Sequence, residues 1–285
     1  MNMLGFKRII ILAPLLLCMS IASALADDNE ETAGSNPPST SPWTVDLGLY
    51  AFFPTSVKGT STVNGGTVEL DVGLKDVFDL LEFALAGRVE AWRDRPDNDG
   101  SAFGFVLDGY YYDLGIDADG LGPASGTSLD VDIRQGVIDL MAGYRLPQVN
   151  LSNSGQALIF EVMAGARFNF LRQKIKITPG LPFPFVIDLG GDKEWVEPVI
   201  GTRATWVLND RWNLNVRGDL AGFGVAGDEL TWSLTGVAAW RAWEKTTIQL
   251  GYRVYDIDYS DGSGFDEFGV NLRVHGPFLA INFRL

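Results

Sequence analysis

His275 is the first candidate for catalytic chemistry, because it is the only histidine in the sequence. An imidazole titrates near neutral pH and can act as a general base beside a carboxylate. The alternation of residue types puts His275 on the same side as Leu279, Ile281 and Phe283, and no serine lies in a recognisable nucleophile setting. We therefore predict that the protein is not an enzyme. The alternative is an enzyme that uses His275 with a carboxylate from the lumen of the barrel inferred below.

Arginines and carboxylates recur at alternate positions along the chain, so that each stretch has one ionic and one apolar side. Arginine binds carboxylates through two parallel hydrogen bonds, and buried charges persist mainly as pairs. The signs nearly balance, which predicts an ion-pair network, whereas a ring of one sign would favour a selective pore. The predicted lumen network consists of Asp46, Arg88, Glu90, Asp108, Asp139, Arg145, Glu161, Arg167, Glu197, Arg203, Arg217, Asp219, Arg241, Arg253 and Arg284.

Two further groups could bind ligands. Clustered loop carboxylates can hold Ca²⁺, but the segment from Asp256 has its glycine one place late, at Gly262, so we predict solvated loops and neither a metal nor a cofactor. The spacing of Gly222, Gly224 and Gly227 matches a dinucleotide-binding turn, but no βαβ unit surrounds it, and a sharp turn is predicted instead. The loop acids are Asp113, Asp117 and Asp119 in one group, and Asp256, Asp258, Asp261, Asp266 and Glu267 in the other.

The elements that position these side chains are β-strands, because hydrophobicity follows a period of two. From Trp43 to Phe53 the odd positions are apolar and the even positions are mostly polar or small. Helical spacing is nearly absent, except that one turn is possible from Asp76 to Leu81. The predicted strands span 43–55, 83–93, 101–113, 131–145, 156–172, 194–207, 211–220, 229–242, 245–258 and 268–285.

Connections between these strands alternate between long and short, as in bacterial outer-membrane barrels. We predict an all-β fold, an antiparallel transmembrane β-barrel of about 10 strands; eight or twelve are possible, since 67–72 could also pair. The alternation of residue types alone does not distinguish this barrel from a soluble one, in which the apolar side chains would face inside and the charges outside. The export signal predicted over 1–26 and the different loop lengths at the two rims favour the membrane version, as do aromatic flanks such as Trp195, Trp206, Trp212, Trp240 and Trp243.

The chain divides into a signal peptide over 1–26, a disordered periplasmic tail over 27–42 and the barrel over 43–285. Lys7 and Arg8 are the only charges in the signal, so its removal changes the formal net charge from −14 to −16. A nucleic-acid partner is therefore not expected. The sole cysteine, Cys18, lies in the signal, which leaves no disulfide in the mature chain.

Several motifs resemble a family of proteobacterial outer-membrane β-barrel proteins without an established activity. They include Trp195–Arg203, Gly218–Trp232, Gly251–Arg253 and His275–Pro277. The resemblance spans nearly all of the mature chain and implies a barrel in the cell outer membrane, but no activity. The alternating residues up to Leu285 resemble the C-terminal signal that the barrel-assembly machinery recognises.

The predicted function is a structural outer-membrane barrel or a narrow pore with an ion-paired lumen. A small-solute or lipid-binding channel is the alternative, and Tyr50, Tyr110 and Tyr112 are its candidate lumen aromatics. The expected partners are outer-membrane lipids and lipopolysaccharide, together with the barrel-assembly machinery during insertion.

Overall fold

The computed structural model describes residues 43–73, 81–96, 99–119, 128–151, 155–179, 186–225 and 227–285. The predicted signal peptide and periplasmic tail, 1–42, lie outside the described residues. The same holds for most of the possible helical turn, 76–80, whereas Leu81 already belongs to a strand. No helix in the described part of the chain is long and apolar enough to cross a membrane.

Ten antiparallel strands close into a barrel, which confirms the predicted fold class. The first strand pairs with the last, Leu49 opposite Ile281, and also with the next barrel strand, Leu49 opposite Gly87. An even number of strands leaves both ends of the barrel sequence at the rim of short turns. The barrel strands are β1 (Trp43–Phe52), β4 (Leu81–Asp94), β5 (Ala102–Asp119), β6 (Ser128–Arg145), β8 (Ala157–Thr178), β9 (Ile187–Val207), β10 (Trp212–Val225), β11 (Asp228–Trp243), β12 (Thr246–Asp261) and β13 (Phe268–Arg284); β7 (Val149–Asn150) is a short strand beside β8.

The outer wall carries an apolar band, as a membrane barrel requires. On β5 the outward side chains run from Phe103 through Phe105 and Leu107 to Tyr111. Eight residue steps of about 3.4 Å give about 27 Å along the strand, or roughly 20 Å along the membrane normal at the usual tilt. Tryptophans ring the short-turn edge, where Trp212 stacks on Trp240 with centroids 6.2 Å apart. This inside-out pattern places the barrel in the outer membrane.

A charge placed in the middle of this band is expected to be costly. Leu140 is 53% exposed on the outward face of β6. Leu140→Arg should lower the free energy of unfolding in lipid vesicles by about 2–4 kcal/mol, because the guanidinium would face hydrocarbon. Phe265→Arg is the control, since Phe265 is 87% exposed in the turn before β13. Equal urea midpoints for the two variants would contradict the orientation of β6.

The strands continue well beyond the membrane, which corrects the prediction of long acidic loops. A membrane-spanning strand needs about 9–11 residues, whereas β8 has 22 and β9 has 21. The sequence analysis groups Asp256 and Asp258 with the loop acids, although the predicted strand 245–258 includes them. They lie on β12, where they accept hydrogen bonds from Arg273 at 2.7 Å and Asn271 at 2.8 Å. The end of the barrel opposite the short turns, which we call the upper end, is therefore a polar extension of the wall outside the membrane. Other predicted loop acids also belong to strands, namely Asp113, Asp117, Asp119 and Asp261, whereas Asp266 and Glu267 lie at the turn before β13.

A β-hairpin follows β1 and extends the upper wall of the barrel beside β13. Its strands are β2 (Ser56–Val63) and β3 (Gly66–Gly73), and β2 pairs with β13 above the level of β1. Asn64 and Gly65 connect them with φ of 52° and 75°, as a tight hairpin turn requires. The Asn-Gly pair between alternating segments is a sequence signal for this hairpin that our strand assignment did not use.

The glycine-rich motif covers the end of β10 and the turn toward β11, where the sequence predicts a sharp turn. Gly222, Gly224 and Gly227 all have positive φ, between 78° and 91°, at the end of β10 and the start of β11. The register between these strands shifts between Gly222 and Val225. This short connection lets β9 and β12 project above it and approach each other.

Candidate functional site in the barrel lumen

The lowest buried layer of the lumen is a chain of alternating charges. Arg203 on β9 donates two hydrogen bonds of 2.7 Å to Glu90 on β4 and another to Glu161. Arg145 also binds Glu161, at 2.9 Å, and its guanidinium lies 4.8 Å from the ring centroid of Trp92. In sheet order β4 and β9 are separated by β5, β6 and β8, so the contact between Arg203 and Glu90 crosses the lumen.

Above this layer, Asp108 joins its own strand to three others, β1, β4 and β10. It accepts hydrogen bonds from Arg88 at 2.6 Å, from Arg217 at 2.9 Å and from the Tyr50 hydroxyl at 2.8 Å. Asp108 lies on β5 and Arg217 on β10, and β6, β8 and β9 come between them in the sheet. This second contact across the lumen lies at the centre of the barrel.

Arg167 is the most deeply buried cation, with 1% of its surface exposed. Its guanidinium binds both oxygens of Asp139, at 2.7 and 2.9 Å, and Asp219 at 2.7 Å. Asp219 also accepts a 2.6 Å hydrogen bond from Ser233. One arginine thus compensates two buried carboxylates and joins β6, β8 and β10.

The next layer is aromatic. Tyr110 stacks on Tyr112 with centroids 6.1 Å apart and meets Tyr255 edge-on at 6.3 Å. Arg253 lies over Tyr110 and Tyr255, at 5.5 and 5.7 Å from the ring centroids. Within the described ranges no carboxylate comes within ion-pair distance of Arg253. Its position in the lumen agrees with the predicted set, but its contacts are cation–π contacts.

The upper lumen is filled by a second core of apolar side chains. Trp195 on β9 stacks on Tyr259 on β12, with centroids 3.9 Å apart, and Val63 belongs to the same buried cluster. Ser61 on β2 donates a 2.9 Å hydrogen bond to Gln173 on β8, although five strands separate them in the sheet. Side chains from opposite walls of the upper barrel therefore touch across its interior. We call this cluster the apolar seal. Its buried side chains are those of Val63, Leu171, Ile175, Trp195, Tyr255, Ile257, Tyr259, Phe268, Val270 and Leu272.

Trp195 does not belong to the outer aromatic belt, which corrects one interpretation of the sequence. It is 6% exposed, and its indole donates a 3.2 Å hydrogen bond to Glu197 inside the barrel. The side chains of Trp206, Trp212, Trp240 and Trp243 do face outward. Its ring fills the interior of the barrel between β9 and β12, where it stacks on Tyr259.

At the lower rim the predicted charges are exposed. Arg284 donates to both oxygens of Asp46, at 3.0 and 3.3 Å, and 56% of the arginine side chain remains accessible. Arg241 is exposed near the turn after β11, and its guanidinium has no carboxylate within ion-pair distance in the part of the chain that the structure describes. Of the predicted set, Arg241 and the rim pair of Asp46 and Arg284 thus lie outside the deep network, and the other twelve residues belong to it at different depths.

The lumen is balanced in charge and suited to structure more than to acid–base chemistry. Six arginines face six carboxylates, and every carboxylate of this set is buried. No group of three or more His, Cys, Asp or Glu among the described residues is placed to hold a metal ion. The buried set comprises Arg88, Arg145, Arg167, Arg203, Arg217 and Arg253 with Glu90, Asp108, Asp139, Glu161, Glu197 and Asp219.

His275 lies on the outer side of the wall. Its Nδ1 is 2.6 Å from the hydroxyl of Tyr252, which is exposed on the outward face of β12. The barrel wall separates this imidazole from the lumen carboxylates. The hypothesis of a catalytic pair between His275 and a lumen carboxylate therefore does not match the geometry.

Two solved outer-membrane proteins are similar to this chain at low identity and with TM-scores below 0.5. The translocator domain of autotransporter NalP from Neisseria meningitidis matches with a TM-score of 0.44 and 10% identity, covering 96% of each chain. The outer membrane protease OmpT from Escherichia coli matches with a TM-score of 0.48 and 9% identity, covering 90% of this chain and 99% of its own. No family model and no curated protein matches the sequence. At these identities the likeness concerns the fold alone.

Proposed function

We propose that this chain is a structural outer-membrane barrel whose lumen is closed to ions and solutes. The observation that carries the proposal is contact between opposite walls at successive depths. Arg203 reaches Glu90, Arg217 reaches Asp108, and Ser61 reaches Gln173. A conducting pore needs a continuous water-filled path. Here the charged side chains that would line such a path form hydrogen bonds with one another.

Two different barriers act in series in this proposal. An ion entering from the short-turn end meets the paired network, whose charges cancel and offer no net attraction. Beyond it lies the apolar seal, where an ion would lose its hydration without compensation. The paired network therefore attracts ions of neither sign, and the apolar seal blocks their passage. Neither a cation nor an anion is expected to pass.

Planar-bilayer recording tests the proposal. The purified full barrel should insert without producing stable single-channel openings at moderate voltage, while a porin in the same bilayers serves as the positive control. Insertion is verified separately by the mobility difference between boiled and unboiled protein. Long-lived openings of uniform size from the folded protein would overturn the proposal in favour of a pore.

We further propose the route by which the barrel reaches the membrane. Residues 1–26 act as an export signal, and the alternating segment Leu279–Leu285 is recognised by the barrel-assembly machinery of a Gram-negative, proteobacterial cell. The resemblance of Trp195–Arg203 and Gly218–Trp232 to a family of such barrels supports this origin. Once inserted, the outer wall is in contact with outer-membrane lipids and lipopolysaccharide.

A further inference from the structure

The outer wall has a shallow indentation on one side of the barrel. It has a volume of about 460 Å³ and lies on β4, β5 and β6, with Leu49 of β1 and Phe170 of β8 at its edges. Gly87 and Gly109 are cross-strand neighbours, and Gly136 lies on the next strand. Their missing side chains leave a groove between the exposed side chains of Leu85, Tyr111 and Phe170.

The groove opens toward lipid, because the side chains at its rim, Leu85, Tyr111 and Phe170, are exposed on the outer wall. Gly87, Gly109 and Gly136 do not have positive φ, so a turn or backbone strain does not account for glycine at these positions. A Cβ added at Gly136 would come 3.3 Å from the Tyr111 ring and 3.6 Å from the Phe170 ring. Gly136 thus lets these two rings pack against the wall, and the space that an acyl chain can occupy lies over Gly87 and Gly109.

Charge at the upper end of the groove indicates which lipid fits. Two residues above Gly136 and Phe170, or about 7 Å along the strands, Arg134 and Arg172 lie directly opposite each other on β6 and β8. Asp113 and Asp132 lie 3.1 and 3.8 Å from Arg134, and Asp192 is the cross-strand neighbour of Arg172. Like charges directly opposite on neighbouring strands are unfavourable. Arg134 is compensated by Asp113 and Asp132, whereas no carboxylate among the described residues lies within ion-pair distance of Arg172, so that guanidinium can bind an anion.

We propose that this groove binds an outer-leaflet glycolipid that carries phosphates and several acyl chains. One acyl chain fills the groove along Gly87 and Gly109, and a phosphate is bound by Arg134 and Arg172 at the membrane surface. The apolar groove and the paired arginines are separated by the distance that joins a lipid chain to its headgroup. The site rests on the membrane placement of the barrel and is independent of whether the lumen conducts.

Native mass spectrometry of the folded full barrel, titrated with bisphosphorylated lipid A in detergent, tests the site. One lipid A should be retained, and Arg134→Gln with Arg172→Gln should weaken its binding roughly tenfold or more, since each cation at an anionic lipid surface contributes substantially. Arg273→Gln is the matched control, because Arg273 is an exposed outward arginine on β13. Equal losses in the double variant and the control would overturn the proposal.

The groove itself is tested by filling it. Gly109→Leu should reduce lipid A retention, whereas Gly236→Leu adds the same side chain elsewhere on the outer wall, where nothing lies within 4 Å, and should leave retention unchanged. Gly87→Leu is the second filling variant if the first does not fold. Retention unaffected by filling, or equal retention of dephosphorylated lipid A or phosphatidylglycerol, would reject the glycolipid site. Conductance recordings on the same samples report separately on the closed lumen.

Discussion

Replacing Arg167 by methionine is expected to lower the free energy of unfolding by about 3–5 kcal/mol, the cost of leaving buried charge uncompensated. Arg167 is the only partner within ion-pair distance that the described residues provide for Asp139, and the same arginine binds Asp219. Methionine keeps much of the volume and removes the charge. Urea titration of the barrel in lipid vesicles, followed by tryptophan fluorescence, measures the difference.

Arg284→Met is the matched control for this experiment. Arg284 makes the same kind of two-pronged contact with Asp46, but its side chain is 56% exposed at the rim. Exposed pairs contribute about 0–1 kcal/mol, because water solvates both partners once they separate. Losses of similar size in the two variants would mean that depth in the lumen does not set the strength of these pairs.

A double variant separates charge compensation from packing. Arg167→Met combined with Asp139→Leu removes one cation and one carboxylate, so the charge balance of the lumen is kept, and Asp219 retains its hydrogen bond from Ser233. Such replacements are often neutral or stabilising elsewhere, so most of the lost stability should return. Failure to recover would indicate that the network is needed for the packing of β6, β8 and β10 and not only for charge balance.

The period of two predicted the strands and their faces because each face of a membrane strand meets a single environment over the bilayer. On β8 the lower odd positions carry Glu161 and Arg167, which lie inside, while Phe160 and Phe168 lie outside. The same reasoning placed Asp108 and Asp139 in the interior. In this part of the barrel, parity contains the information that decides orientation.

The same pattern misled the assignment of strand ends, because its polarity reverses at the membrane surface. Above Phe170 the inward residues of β8 become Leu171 and Ile175, and the outward residues become Arg172 and Lys174. Water replaces lipid outside, and the apolar seal replaces the ion pairs inside. A strand with two opposite alternations was interpreted as a strand followed by a loop.

Contacts across the lumen could not be predicted from the sequence. Parity shows that Arg203 and Glu90 point inward, but their contact depends on how far the strand register climbs around the barrel. Trp195 illustrates the same limit, since an aromatic residue near a strand end fits an outer belt equally well. Its ring contacts Tyr259 because β9 and β12 approach each other above the short connection between β10 and β11.

Cross-linking across the upper lumen should give an all-or-none result. Ser61 and Gln173 lie on opposite walls, with Oγ and Oε1 2.9 Å apart. In a Ser61→Cys, Gln173→Cys variant, a short bifunctional thiol reagent should join the walls and shift the mobility of the denatured protein. The only natural cysteine, Cys18, lies in the predicted signal peptide, so the mature chain should give no background.

Thr62→Cys with Gln173→Cys is the control, because Thr62 faces the other side of β2, where its hydroxyl is 2.9 Å from that of Thr67. Neighbouring residues of a strand point to opposite faces, so one step along β2 moves the thiol from the lumen to the outside. Cross-linking of both pairs, or of neither, would show that the hairpin does not close the upper barrel. Selective cross-linking of the first pair would place β2 against β8, where the apolar seal must form if solutes are excluded.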